Sequence, residues 1–125
     1  MKELKKKEEK YISMTPFEEE ICSVFKNFEE NYWEKKSQQV EAYSIRDILV
    51  IRSQGSLSPA EEQLVKNEEG KILLKELKIK ELSSIKNILK FLLENKLNIQ
   101  ILSLVIDNTP ELDETIIVCR LNRIL

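Results

Sequence analysis

Two charged residues stand inside an apolar helical pattern and are the first candidates for a binding site. Lys78 and Glu81 lie three residues apart, a spacing at which two side chains on one helix face can touch. Their neighbours on that face are apolar: Leu74, Leu77, Ile85 and Ile88. The favoured interpretation is that Lys78 lays its methylenes along the core and carries its ammonium to water, with Glu81 as a surface partner. The alternative is a semi-buried polar site or part of a dimer contact.

A ligand site needs further polar partners, and Arg52 is a candidate because it ends a predicted strand near the sheet-helix junction. Arg52, Lys78 and Glu81 together would suit an anion or a small metabolite. Trp33 closes an aromatic stripe and is expected to be partly exposed at an interface. These four residues form the predicted ligand-binding or partner-binding site.

The residue types present exclude several kinds of catalysis. The 125 residues include no histidine, so there is no imidazole base, no histidine-activated nucleophile and no histidine-containing zinc site. Cys22 and Cys119 have no CxxC spacing and are expected to be free thiols, with Cys119 buried. The acidic residues from Asp107 to Glu114 lack the regular oxygen positions and the glycine of a calcium loop. We therefore expect no enzyme activity, no catalytic residue, no metal and no cofactor.

Charge and hydropathy limit the classes of partner. The net charge is −2, which argues against a general affinity for nucleic acid. Lys75, Lys86 and Lys90 fall on one side of a predicted helix; a solvated face is the favoured explanation and an anionic partner the alternative. No apolar run is long enough to span a bilayer, and residues 1–14 are a charged tail without the apolar segment of a signal peptide. The chain is expected to be cytoplasmic, with no direct membrane insertion.

Two predicted helices begin with the same signal. Thr15-Pro16-Phe17-Glu18 and Ser58-Pro59-Ala60-Glu61 each place a capping hydroxyl before a proline at the first helical position and a glutamate at the third. The first signal predicts an N-terminal helix whose aromatic stripe belongs to the core. The second predicts a long helix that lies across a sheet and kinks at Gly70.

Apolar patterns of period two predict four strands. The segments 40–45 and 48–52 flank a turn at Arg46-Asp47 and form a hairpin, and 99–106 and 115–121 form a second one. The order predicts a single α+β domain over residues 15–125: N-terminal helix, β-hairpin, long kinked helix, β-hairpin, with a mostly antiparallel four-stranded sheet and helices on one face. Because both sheet faces are apolar, we expect a homodimer that covers the second face.

Several segments resemble the MpsC-like family, small bacterial proteins named after a component of a sodium-translocating, membrane-potential-generating system and otherwise classed as a domain of unknown function. The segments that carry the resemblance are Ile48-Leu49-Val50-Ile51-Arg52, Gly55-Ser56-Leu57-Ser58-Pro59-Ala60-Glu61, Leu64-Val65-Lys66 and Glu69-Gly70-Lys71, with Tyr43, Asp47 and Asp107. The likeness covers nearly all of the chain after Pro16, and Leu-Ser-Pro-Ala-Glu is its most specific part. The family's Gly-Arg-Gly-Pro-like turn after the first helix is replaced here by residues 33–37, and a turn glycine by Asp113 or its neighbours. Glu62 and Lys78 stand where arginine is frequent, so a shared anion site does not transfer directly.

The resemblance implies a link to a bacterial membrane ion or inorganic-carbon transport system. Together with the residue types and the apolar sheet, it leads us to expect a soluble, non-enzymatic accessory or regulatory protein, a homodimer that acts through protein-protein contacts with an integral membrane transport subunit. The residues themselves leave an alternative open, a dimeric module that binds a small ligand or anion. The two hypotheses differ in whether a membrane protein or a metabolite is the partner.

Overall fold

The structure, a computed structural model, describes residues 14–125; expectations for residues 1–13 of the charged tail lie outside the described residues. In chain order its elements are α1 (Pro16–Phe28), a π-helical turn (Glu29–Trp33), β1 (Gln39–Ile45), β2 (Ile48–Gln54), α2 (Pro59–Leu64), α3 (Glu68–Leu97), β3 (Ile101–Thr109), a 3-10 turn (Pro110–Leu112) and β4 (Glu114–Leu121). The strands form one antiparallel sheet in the order β1-β2-β4-β3. The predicted α+β class and four-stranded sheet are confirmed.

Helix α1 begins where the sequence predicts. The Thr15 hydroxyl accepts from the Glu18 backbone N–H, and the Glu18 carboxylate accepts from the Thr15 N–H in return. The buried side of α1 consists of Ile21, Cys22, Val24, Phe25 and Phe28. Tyr32, four residues after the buried Phe28, is exposed. Trp33, expected to be partly exposed, is instead 7% exposed and belongs to the core.

The π-helical turn explains why Trp33 is buried and Tyr32 is exposed. A π turn closes its hydrogen bonds over five residues instead of four, so one additional residue fits into the turn. Phe28 and Trp33, five residues apart, therefore both point inward. The turn ends at Glu34, whose left-handed backbone (φ 54°) directs the chain toward β1.

The second helical signal produces a short helix rather than the start of a long one. Helix α2 ends at Leu64, and α3 begins after Asn67, whose side chain accepts from the Gly70 N–H as a new cap. The prediction of a kink at Gly70 was therefore wrong, because the chain breaks five residues earlier. Gly70 lies against the end of α2, where a Cβ would stand 1.8 Å from the Leu64 carbonyl oxygen. Its missing side chain lets the two helices meet.

Helix α3 packs a slightly rotated face onto the sheet. Its buried residues are Gly70, Leu74, Lys78, Leu82, Leu89, Leu93 and Leu97. Leu77, predicted in the core, is 49% exposed, while Ile85, Ile88 and Leu92 are half-buried at the margin. The left-handed Asn98 ends the helix (φ 52°).

Strand β3 differs in its bounds from the predicted segment 99–106. It begins at Ile101 and runs to Thr109, three residues beyond the predicted end, because Asp107, Asn108 and Thr109 pair with β4. A bulge at Leu102 inserts one residue between the paired Ile101 and Ser103. Beyond the bulge the alternation is reversed relative to Ile101, so Leu104, Ile106 and Asn108 face the helices and Val105 faces outward.

The two faces of the sheet differ in what covers them. The helix-covered face carries Leu49, Ile51, Ile117 and Cys119, each fully buried. On the other face, which we call the open face, one cross-strand row joins Tyr43, Val50, Val118 and Val105. Tyr43, Val118 and Val105 of that row are 39, 37 and 61% exposed, and the same face carries Ile45, Ile48 and Ile116. Within the described residues, this apolar surface has no covering element.

Candidate functional site

Lys78 is the most unusual side chain of the described structure. It is 1% exposed, and its Nζ has no hydrogen-bond partner among residues 14–125. The favoured sequence interpretation, an ammonium that reaches water, was therefore wrong, because the whole side chain of Lys78 is buried. Burial lowers the pKa of Lys78, with the charge of Lys35 acting in the same direction and that of Glu61 opposing it.

The counter-charge of Lys78 comes from α2. The Glu61 carboxylate oxygen Oε2 lies 3.6 Å from the Lys78 Nζ and 3.6 Å from the Lys35 Nζ, so it bridges two ammonium groups. Burial raises the pKa of Glu61, but the hydrogen bond from the Ser58 N–H and the charges of Lys78 and Lys35 outweigh it, and the pKa lies below its usual value. Glu61 is therefore held as a carboxylate.

The π-helical turn closes the site from the other side. The Trp33 ring centroid lies 5.6 Å from the Lys78 Nζ, at cation-π distance. The Trp33 Nε1 donates a hydrogen bond of 3.1 Å to the Glu81 carboxylate. Lys78 and Glu81, predicted to touch, thus have different closest partners. We call Trp33, Lys35, Glu61, Lys78 and Glu81 the Lys78 cluster.

Local sequence explains why Glu61 reaches the cluster. Glu61 is the third residue of α2, and its Oε1 accepts from the Ser58 N–H while Oε2 faces the lysines. The preceding loop is fixed by Asp113, whose carboxylate accepts from the Ser56 and Leu57 N–H groups, and by Gly55 at φ 81°. One capping residue therefore ties α2 to both α3 and the turn after α1.

Arg52 does not belong to the cluster. It lies on the open face, where its Nε donates a hydrogen bond of 2.8 Å to the Glu114 carboxylate. The predicted grouping of Arg52 with Lys78 and Glu81 was therefore wrong, because alternation in β2 places Arg52 on the face opposite the helices. Trp33, Lys78 and Glu81 do come together.

Sequence reasoning missed Glu61 and Lys35 as members of the cluster. Glu61 carried a signal, since a capping glutamate has a second oxygen that is available for another partner. Lys35 carried none, because its position depends on the π-helical turn and on left-handed Glu34. Glu29 was also missed: it is buried, accepts a hydrogen bond from the Ser37 hydroxyl, and has its pKa raised by burial.

The two thiols are free, as predicted, and both are buried, although burial was predicted only for Cys119. Burial raises the pKa of Cys119 to about 12, so at neutral pH it is a thiol packed in the core. The described residues contain no group of three His, Cys, Asp or Glu side chains that could hold a metal ion. From residue 14 onward, no helix combines the length and apolar character that crossing a membrane requires.

A family model described as the Na+-translocating membrane potential-generating system (MpsC) matches residues 14–123. The chain belongs to the MpsC family. The resemblance seen in the sequence is therefore confirmed over almost the whole described structure. No curated protein and no solved structure matches the chain.

The MpsC-like segment from Gly55 to Glu61 forms the loop and the helix start that place Glu61 in the Lys78 cluster. Gly55 supplies the left-handed turn, Ser58 caps α2 and Glu61 holds the buried ammonium. The most specific part of the resemblance is thus the part that joins α2 to the core. The ammonium held there, Lys78 Nζ, has no hydrogen bond among the described residues.

Proposed function

We propose that the chain is a non-enzymatic accessory or regulatory protein of a bacterial membrane ion or inorganic-carbon transport system. It binds an integral membrane subunit of that system and works as a homodimer. Membership of the MpsC family supports the link to a membrane potential-generating system. The observation that carries a role in binding is the open face, an apolar surface that monomeric domains seldom leave uncovered. Its cytoplasmic location stays a prediction.

The charge pattern of the open face favours a second copy as its occupant. The row Tyr43-Val50-Val118-Val105 is apolar, the neighbouring row on one side is Glu41-Arg52-Ile116-Asp107, with two acidic residues and one basic residue, and the row on the other side contains Arg120. A twofold axis along the apolar row packs that row of one copy against the same row of the other. The same axis places Arg120 of each copy opposite the row of the other copy that has a net negative charge.

Sedimentation equilibrium tests the dimer. Val118→Arg puts two like charges into the shared row, so we expect a dimeric wild type and a monomeric variant. Leu73→Arg, at an exposed apolar residue of α3, is the matched control and should stay dimeric. A wild type that is monomeric at high micromolar concentration, or a dimer broken by Leu73→Arg and not by Val118→Arg, contradicts the proposal.

Affinity capture tests the membrane partner. A tagged chain expressed in its native cells should recover an integral membrane subunit from gently solubilised membranes, and Val118→Arg should change the yield only if the dimer is the binding form. Recovery of the chain alone, after crosslinking as well as without it, contradicts the transport link.

The Lys78 cluster supports a second candidate function, a module that binds a small anion. A buried ammonium without a hydrogen bond is a group that a phosphate or carboxylate ligand would satisfy. Phosphate, bicarbonate and ATP are suitable probes, and a ligand should raise the melting temperature of the wild type but not of Lys78→Gln. If none raises the wild-type melting temperature at millimolar concentration, this candidate fails.

A further inference from the structure

Strand β3 forms one border of the sheet, because β4 pairs with it on one side only. It spans nine residues, and such a border presents backbone N–H and C=O groups to which another strand can bind. A groove of about 220 Å³ runs beside its first half, between that half and α3. The groove is lined by Lys86, Asn87 and Lys90 of α3 and by Ile101 to Leu104 of β3.

The lysines of α3 divide into two groups along this border. At the far end, Lys71 lies 3.9 Å from the Glu111 carboxylate and Lys75 lies 3.6 Å from that of Asp107. At the groove, Lys86 and Lys90 are one helical turn apart and make no ion pair with any residue of the described range 14–125. The first half of the border therefore carries two ammonium groups without an ion pair, and the Glu94 carboxylate at its start accepts a hydrogen bond from the Ile101 N–H.

The bulge adds a second feature to the same segment. Leu102 is the inserted residue, so it has no partner on β4, and its side chain is 55% exposed. A strand that lies beside β3 would meet this apolar side chain together with the two ammonium groups. Backbone pairing supplies affinity in such complexes, and alternate side chains supply selectivity.

We propose that the border of β3 binds an acidic segment of a partner protein in extended conformation, as a fifth strand of the sheet. Carboxylates on alternate residues of that segment pair with Lys86 and Lys90, and an apolar residue packs on Leu102. This surface is separate from the open face. Either surface can therefore be lost while the other is kept, and failure of this proposal leaves the dimer proposal intact.

An NMR titration of the labelled full-length chain tests the proposal. The probe is a synthetic seven-residue peptide that alternates glutamate and valine. Two control peptides are the same sequence with lysine for glutamate, and the glutamate sequence N-methylated at every peptide nitrogen, which keeps its charge but has no backbone N–H to donate to a neighbouring strand. We expect shift changes at β3 and at Lys86 and Lys90 with the probe, and none with either control.

Charge reversal locates the contact. Lys86→Glu with Lys90→Glu should weaken peptide binding by about tenfold or more, since two ion pairs are lost and repulsion replaces them. Lys80→Glu with Lys96→Glu reverses two other exposed lysines of α3 and should leave binding within about twofold.

Three results would overturn the proposal. The first is the absence of any change at β3 at millimolar peptide. The second is equal binding of the N-methylated peptide or equal loss in both double variants, which would mean general attraction to lysines. The third is a concentration-dependent pairing of β3 with β3 of a second copy in the absence of peptide, which would make a second copy its occupant.

Discussion

The helices α1 and α2 begin with the same capping box and differ in everything that follows. In both, the capping hydroxyl accepts from the N–H of the glutamate three residues on, at 3.1 Å for Thr15 and 3.2 Å for Ser58. Yet α1 runs for 13 residues with five of them buried, and α2 for 6 residues with none. A cap therefore fixes where a helix begins, while burial decides how far it continues.

The glutamates of the two boxes also bind different second partners. The outer oxygen of Glu18 accepts from the Ser44 N–H at 2.7 Å and from its hydroxyl at 3.1 Å, which ties α1 to β1. The outer oxygen of Glu61 faces Lys35 and buried Lys78. The second contact of Glu18 consists of hydrogen bonds, whereas that of Glu61 neutralises a buried charge. Their contributions to stability should therefore differ.

The largest effect is expected for Glu61→Ala, which leaves the Lys78 ammonium buried without a counter-charge. We expect a loss of about 3 kcal/mol in the free energy of unfolding, measured in urea. Combining Glu61→Ala with Lys78→Met should recover most of it, because an apolar side chain needs no counter-charge. A loss no larger than that of Glu18→Ala, or no recovery in the double variant, would contradict the role given to Glu61.

Gly70→Ala should have the next largest effect, about 2 kcal/mol, because the new Cβ overlaps the Leu64 carbonyl and pushes α2 away from α3. The gain in helix propensity, up to about 1 kcal/mol, opposes this loss. Urea unfolding measures the sum, and Ser83→Ala, at an exposed position of α3, is the control. Stabilisation by Gly70→Ala would mean that α2 does not pack as described.

Glu18→Ala tests the other capping glutamate, which has no buried charge as its partner. It removes the hydrogen bonds to Thr15 and Ser44, and we expect a loss of about 1 kcal/mol, since neither partner is a buried charge. Glu18→Gln keeps an acceptor oxygen and should lose less. Urea unfolding of both variants measures the loss in the free energy of unfolding. A loss for Glu18→Ala equal to that for Glu61→Ala would mean that the two glutamates do not differ in the way described.

The smallest effect is a difference in pH dependence. The pKa values of Glu18 and Glu61 are both lowered, so each contributes stability above its usual pKa of about 4.5 that is lost as the pH falls through the folded-state value. Lys78 has a lowered pKa, so stability rises as the pH increases from that value toward 10.5. Melting temperatures of wild type and Lys78→Met, compared at each pH, isolate this rise in stability, which should be absent in the variant. An equal rise of melting temperature with alkaline pH in both proteins would contradict it.

Local signals in the sequence predicted much of the fold. Both helix starts, the hairpin turn at Arg46-Asp47 and the antiparallel sheet follow from capping residues and from alternation. The burial of Lys78 was left open as an alternative, because a lysine among leucines has two common outcomes. The family followed from short segments, and the most specific of them, Gly55 to Glu61, supplies the Glu61 carboxylate of the Lys78 cluster.

The rest depended on contacts that no local pattern records. The place of the helix break follows from Asn67 as a second cap and from the approach of Leu64 to Gly70. The burial of Trp33 follows from one π-helical turn, which changes the spacing from four residues to five. The separation of Arg52 from Lys78 follows from which face of the sheet the helices cover. In each case, contacts between distant segments decide between conformations that the local sequence allows equally.

Leu102 is one residue more than the register of β3 requires, because Ile101 and Ser103 pair with the adjacent residues Leu121 and Arg120. Deleting Leu102 would therefore close the bulge and leave the later pairs as they are, with Val105 outward and Ile106 toward the helices. A second residue inserted at the same point would need a larger bulge, or it would turn every later side chain to the other face of the sheet. The strand thus tolerates a shorter chain at this point better than a longer one.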